Sequence, residues 1–341
     1  MRGVVNYKKF RKSDYSDFVL GADVGGTNTR LGVSGLKGRK VELLFGFETE
    51  TSNIRSFGKL IRRFLRYSRE RGVCVRRACF GVAGAISDDG KSCRLTNSNL
   101  RISLTKVMRK SGLKEGYLLN DFEAIGYVLE DVKLGILRRG KGVKKANKAI
   151  LGPGTGLGKS IMVYSDGDYV SVSSEGGHSE FPAVSERDFE IVEFLKRKGI
   201  SLEWESLVSG KGILNLYNFF LSKGFESEIR KEVRRAKSVG KKAALISKNR
   251  RKDKVCSKVF YVFSELLGRC AGNFVLESYA RGGLYLTGGV LHRNNDILKS
   301  FRKEFERVGK GKRWFSSVPV YFIKDELAGL KGACYYAGFV R

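Results

Sequence analysis

Two glycine-rich stretches carry the residues best suited to chemistry in this chain. The first is Asp23-Val24-Gly25-Gly26-Thr27-Asn28-Thr29, which follows an apolar run from Phe18 to Ala22. The second is Gly152-Pro153-Gly154-Thr155-Gly156-Leu157-Gly158, which follows Ala149 to Leu151. Glycine lets a backbone approach a ligand closely and adopt φ > 0, so each stretch can aim N–H groups and a threonine hydroxyl at phosphate oxygens. Asp23 adds a carboxylate able to steer Mg²⁺, and two such turns, one from each half of the chain, can grip a triphosphate from both sides.

The second stretch imitates the phosphate loop G-x-x-x-x-G-K-[ST] through Gly158-Lys159-Ser160. That loop needs a glycine where this chain has Pro153, and it must open a helix, whereas Ile161 to Tyr164 predicts a strand. Nor does it match the dinucleotide pattern G-x-G-x-x-G, since Lys159 stands at the third glycine. A third constellation, Asn120-Asp121, sits at the end of a strand predicted for Tyr117 to Leu119. A carboxylate there can take a proton from a hydroxyl nucleophile, a contribution of about 10²- to 10⁴-fold, although the same pair also makes a good helix N-cap.

The elements that must hold these residues follow from local pattern. Phe18 to Ala22 and Arg30 to Ser34 predict two strands of a hairpin around the first glycine turn. Arg55 to Arg71 has helical spacing, Arg77 to Val82 predicts a strand, and Glu123 to Leu129 a helix. Ser160 to Tyr164 and Asp168 to Val172 predict strands around an Asp166-Gly167 turn, repeating the strand, glycine turn, strand theme. Ser257 to Tyr279 predicts a helix, Gly283 to Leu286 a strand ending at Thr287-Gly288-Gly289-Val290, and Glu326 to Phe339 a last helix.

With 341 residues, 42% of them hydrophobic, the chain is long enough for two ordinary domains with real cores. No apolar run reaches the roughly 18 residues of a membrane span, and Met1 to Phe18 carries Arg, Lys, Tyr and Asp in place of an apolar signal segment. The expectation is a soluble, cytoplasmic protein with no membrane partner. The six cysteines form no C-x-x-C pair, and only two histidines accompany them, so they are expected to be reduced thiols, mostly buried. The formal net charge of +30 would attract any polyanion. Its excess lies in 133–148, expected as a solvated linker, and in 224–254, expected as a solvated helix face. Neither interleaves its charges with aromatics for base stacking, so nucleic acid is not expected as a specific partner.

These motifs, in this order and spacing, resemble the bacterial-type glucokinase family of the hexokinase and actin-like ATPase superfamily, from about Val19 to Phe339. The resemblance rests on Gly21 to Asn28, Leu95-Thr96-Asn97, Leu119 to Ala124, Gly152 to Gly158, Glu175-Gly176-Gly177-His178, Glu205 with Leu207 to Gly210, and Leu286 to Val290. It implies an α/β protein with the two-lobed actin-like ATPase (ribonuclease H-like) fold, mixed sheets flanked by helices, and an active-site cleft between the lobes. The lobes would be a small one, 1–119, with the C-terminal helix 325–341 packing back on it, and a large one, 120–324. It also implies ATP-dependent phosphorylation of glucose to glucose 6-phosphate, with Asp121 as general base. Asn97, Asn120, Asp121, Glu175, His178 and Glu205 would bind the sugar. Ala22, Asp23, Val24, Gly25, Gly26, Thr27 and Asn28, with Gly154, Thr155 and Gly156, would hold the phosphates. Asp23 would hold Mg²⁺ through water, and Gly288 and Gly289 would underlie the adenosine. A homodimer is implied as well.

Some positions depart from the family pattern. Ala85 stands at a usual proline, Leu100 at a usual tryptophan, and Lys159 at a usual small or apolar residue. The first two flank the sugar loop and bear on glucose against another hexose. Lys159 is expected to be a solvated strand residue, with added charge near the phosphates as the other reading. Glu203, two residues from Glu205, competes with it for the same role. His178 lacks the H-E-x-x-H spacing of a metal ligand, and the cysteine-rich zinc cluster of the related repressor and open-reading-frame kinases is missing here. Two other functions remain open: a kinase using another hexose or another donor such as polyphosphate, and a sugar-responsive regulator acting on nucleic acid. Against the regulator stand Asp121 and the shortness of the segment before Phe18, too small for a helix-turn-helix.

Overall fold

Val19, Leu20 and Ala22 have no exposed surface, because the strand that carries them is paired on both edges and covered on both faces. The computed structural model describes residues 3–96 and 98–340. These divide into two compact units: residues 1–133 with 169–173 and 325–341, and residues 134–168 with 174–324.

The first unit contains β1 (Val4–Asn6), β2 (Asp17–Val24), β3 (Asn28–Lys37), β4 (Lys40–Glu50), α1 (Phe57–Glu70), β5 (Arg77–Val82), β6 (Gly84–Ile86), β7 (Ser92–Leu95), β8 (Arg101–Ser103), α2 (Leu104–Ser111), β9 (Glu115–Asn120) and α3 (Asp121–Gly126). Its main sheet runs β1-β4-β3-β2-β5-β9, antiparallel from β1 to β2 and parallel from β2 to β9. β6, β7 and β8 form a small antiparallel sheet. α1 starts where Ser56 accepts the Lys59 N–H, and it buries Phe57, Ile61, Phe64 and Leu65 along one stripe while Lys59, Arg62 and Arg66 face water.

The second unit contains β10 (Leu134–Arg138), β11 (Lys148–Pro153) and β12 (Leu157–Ser165), and the chain then passes through β13 (Asp168–Ser174). Asp166 and Gly167 both have positive φ, the conformation a tight two-residue turn between β12 and β13 demands. Next come α4 (Glu186–Arg197), α5 (Gly210–Ser222), α6 (Arg230–Arg235), α7 (Val239–Lys248), α8 (Lys254–Glu277), β14 (Gly283–Leu286), α9 (Gly289–Arg293), α10 (Phe301–Val308) and β15 (Val320–Ile323). β10, β15, β14, β11 and β12 lie side by side, the central three parallel and the outer pairings antiparallel. α8 is apolar enough to pass as a membrane span, but 83% of its most apolar stretch is buried, as befits a core helix.

The last helix, α11 (Ala328–Phe339), belongs to the first unit, where Ala333, Cys334 and Ala337 pack against Val19, Cys79 and Leu119. Close approach requires small residues there: a Cβ on Gly332 would overlap the Ala124 carbonyl oxygen. All six cysteines are free thiols, Cys74 exposed and the other five buried.

Two expectations need correction. Residues 133–148 are not simply a solvated linker, because Leu134–Arg138 forms β10, an edge strand antiparallel to β15. Arg138 is held there by Ser316 O at 2.8 Å and an ion pair to Glu306 at 3.1 Å, so part of the basic excess is structural. Lys159 is not solvated either. It is 1% exposed, with its ammonium 4.9 Å from the centre of the Phe274 ring and hydrogen-bonded to the Cys270 thiol. β12 turns that side chain toward α8, where an aromatic face and a sulfur replace the water it loses.

Candidate active site

In the first unit, register brings two of the predicted site segments to one edge. Val24 pairs with Val82 and Val82 with Asn120, all in parallel strands, so β2, β5 and β9 end together. Asp23 and Asn120 therefore lie two strands apart, about 10 Å at ordinary strand spacing. The carboxyl end of parallel strands is where open α/β sheets bind ligands. Ala22, Asp23 and Val24 close β2, Gly25 to Thr27 make the turn, and Asn28 opens β3, with Gly25 N–H donating to Asn28 O at 2.9 Å. The Thr51 hydroxyl donates to Gly25 O at 2.7 Å and braces that turn.

Asp23 is partly buried, and desolvation, opposed by Arg30 and reinforced by Glu48, raises its pKa above the ordinary carboxylate value. A carboxylate short of solvation is one that a divalent cation relieves, so the residue fits a role beside Mg²⁺. Asn120 caps α3: its Oδ1 accepts the N–H groups of Phe122 at 2.9 Å and Glu123 at 3.4 Å, while Glu123 Oε2 accepts the Asn120 N–H at 3.3 Å. With Oδ1 committed to the backbone, Asn120 offers a ligand its amide N–H donors. Asp121 begins α3, is partly exposed, and lies close enough to Cys93 that its charge, after burial, helps push that thiol up to about 11. Asn97 lies outside the described residues.

In the second unit the predicted residues gather around Leu157. Gly154 to Gly156 link β11 to β12, with Gly154 N–H donating to Gly156 O at 2.8 Å. Thr155 sits at the tip of that turn. Gly288, at φ 100°, lies against this turn, since a Cβ on it would come within 2.5 Å of Pro153 O, and Gly289 opens α9. Glu175 precedes the short 3₁₀ turn Gly176–His178, and a Cβ on Gly177 would overlap the Leu157 carbonyl oxygen.

Glu205 is 6% exposed, and its carboxylate accepts the Leu157 N–H at 2.9 Å and pairs with Lys211 Nζ at 3.2 Å. Glu203, by contrast, faces His178, with Oε2 3.1 Å from Nδ1. In the sequence Glu203 is only a rival to Glu205, because no spacing rule distinguishes the two, and no motif marks Lys211. His178, Glu203 and Glu205 each present an atom within 4.8 Å of the others, an arrangement a metal ion could use, but Lys211 already gives Glu205 a positive partner.

The family model described as Glucokinase matches residues 20–338. A glucokinase from Neisseria gonorrhoeae is 31% identical over 342 residues, covering 96% of each chain. Among solved structures, a glucokinase from an Antarctic psychrotroph superposes with a TM-score of 0.77 at 27% identity, covering 94% of this chain and 98% of that one. A ROK family glucokinase from Streptomyces griseus, solved with glucose and AMPPNP, superposes with a TM-score of 0.65 at 20% identity, covering 94% and 99%. The fold is that of the actin-like sugar kinases, mixed sheets flanked by helices.

Proposed function

This chain belongs to the glucokinase family, a family of hexose kinases, and from that premise we propose that it transfers the terminal phosphoryl group of ATP to the 6-hydroxyl of glucose. The observation that carries the proposal is the common strand edge that holds Asp23 and its glycine turn beside Asn120-Asp121. A sugar hydroxyl is a poor acid, so Asp121 takes its proton as the new P–O bond forms. The remaining acceleration comes from alignment and charge stabilisation, which glycine turns supply without a covalent nucleophile.

The phosphates lie on the N–H groups of Gly25 to Asn28 and Gly154 to Gly156, and Gly288-Gly289 underlie the adenosine. Mg²⁺, when bound, neutralises phosphate charge, and Asp23 is the residue that would hold it. Asn97, Asn120, Asp121, Glu175, His178 and Glu205 bind the sugar. A site that pairs each hydroxyl rejects a sugar that leaves those groups unpaired. The protein works in the cytoplasm, where nucleotide and hexose meet, and as a homodimer.

The test is a coupled assay of the purified protein with a panel of hexoses against ATP, ADP and polyphosphate. Glucose with ATP is expected to give the highest kcat/KM. A folded protein with no turnover on any hexose rejects the reading, and preference for polyphosphate would reassign the donor while keeping the fold's chemistry.

A further inference from the structure

We propose that Glu203 is a positioning residue that fixes the proton on His178 Nδ1, and so sets the polarity of the hydrogen bond that Nε2 offers to the sugar. The proposal rests on the hexose-kinase reading of this site. Glu203 Oε2 lies 3.1 Å from His178 Nδ1, and Glu175 Oε2 lies 3.9 Å from Nε2. The third charged group close to this ring is Glu205, whose carboxylate is occupied by Leu157 N–H and Lys211. A carboxylate only accepts, so the ring nitrogen facing Glu203 keeps its proton. In the uncharged ring Nε2 is then left as an acceptor, able to receive a hydroxyl proton from the sugar. Such an acceptor distinguishes a hydroxyl, which can donate, from a hydrogen or an ether oxygen, which cannot.

The two segments are pinned together independently of the Glu203 side chain. Glu180 and Glu203 form an isolated antiparallel bridge, Phe181 N–H donates to Leu202 O at 2.9 Å, and Trp204 N–H donates to Ser179 O at 3.1 Å. Phe181 and Trp204, both buried, meet edge to face at 5.2 Å between ring centres. His178 itself is 42% exposed on its side chain, so a ligand can reach it. Replacing Glu203 therefore removes the contact to the imidazole while the turn keeps its place.

The experiment uses the full chain labelled with ¹⁵N. Only two histidines occur, His178 and His292, so two-bond ¹H–¹⁵N correlation of the imidazoles reads His178 directly, with His178→Gln as the assignment control. The expected wild-type pattern, at a pH where the ring is neutral, is a protonated Nδ1 and an unprotonated Nε2. Glu203→Ala is expected to give a mixture of tautomers, and Glu203→Asp to restore the wild-type one. A wild-type ring protonated at Nε2, or a pattern unchanged in Glu203→Ala, overturns the proposal.

In kinetics, Glu203→Ala is expected to raise the glucose KM about tenfold with kcat changed far less, the loss of about one hydrogen bond. In a series of monodeoxyglucoses, the penalty for removing the one hydroxyl that faces His178 should shrink in that variant. An unaltered penalty at every position overturns the link to the sugar. Should no hexose be phosphorylated, the kinase reading fails, while the NMR pattern still decides the Glu203–His178 relation.

Discussion

The Glu205 carboxylate accepts the backbone N–H of Leu157 at 2.9 Å, in a turn where a Cβ on Gly156 would overlap that same carboxylate. The glycine turn proposed for phosphates and the acid proposed for the sugar are thus one mechanical unit within the second half of the protein. Disturbing either disturbs both, and the consequences can be measured.

Gly156→Ala is expected to lower stability by about 1–3 kcal/mol, because Glu205 must give up a buried hydrogen bond to make room. The backbone at Gly156 is not in the left-handed region, so the cost comes from overlap and not from strain. Urea unfolding measures it, together with the nucleotide KM, which should rise. An alanine variant as stable as the parent would mean that Glu205 moves aside freely.

Asp121→Asn should lower turnover about 10²- to 10⁴-fold, the usual worth of a general base, while glucose affinity by calorimetry stays within a few-fold. The amide keeps the side chain's size at the start of α3 but cannot take a proton. Comparable turnover in the variant would place the base elsewhere.

For Asp23, proposed above to hold Mg²⁺, burial is expected to cost stability at neutral pH. Its folded-state pKa is raised by burial, so the folded protein holds that proton more tightly than the unfolded chain does. The stabilising contribution of the protonated form is complete below the unfolded value of about 4 and is lost as pH rises through the folded one. Asp23→Asn removes the ionisation. Its melting temperature should exceed the parent's at neutral pH, and the difference should vanish toward pH ~3. Activity should fall at least about a hundredfold with the loss of the charge beside the phosphates. A variant less stable than the parent at neutral pH would show that Asp23 is well compensated in the folded state.

For Lys159, volume and charge can be separated. Lys159→Met keeps the volume against Phe274 and should change stability by less than about 1.5 kcal/mol. Lys159→Ala leaves a cavity under Gly176, whose Cβ position lies 3.2 Å from Lys159 Cδ, and should cost about 2–4 kcal/mol. Chemical denaturation of the pair decides it. Equal losses in both variants would make the ammonium, and not the stem, the stabilising part.

Much of the fold was legible because its signals are local. The apolar run that became β2, the strand Arg77–Val82 and the strand Gly283–Leu286 each combine continuous burial with a bounding glycine or charge. The helix at 57–70 shows its buried stripe within fifteen residues. β10 is not legible because Leu134, Ile136 and Leu137 keep no strict alternation and are followed by a basic stretch, and an edge strand needs little apolar surface of its own.

The sequence by itself determined which residue types are available for phosphate contact and proton transfer, and where strands hand over to glycine turns, because those choices depend on neighbours a few positions away. Tertiary structure alone decided that Lys159 is buried, that Glu203 faces His178, and that Glu205 braces Leu157. Each depends on a partner brought close by folding: Phe274 lies more than a hundred positions from Lys159, and Glu205 lies 48 from Leu157. No local pattern carries that information, since two glutamates two positions apart look alike until strand and turn register turns one toward an imidazole and the other toward a backbone amide.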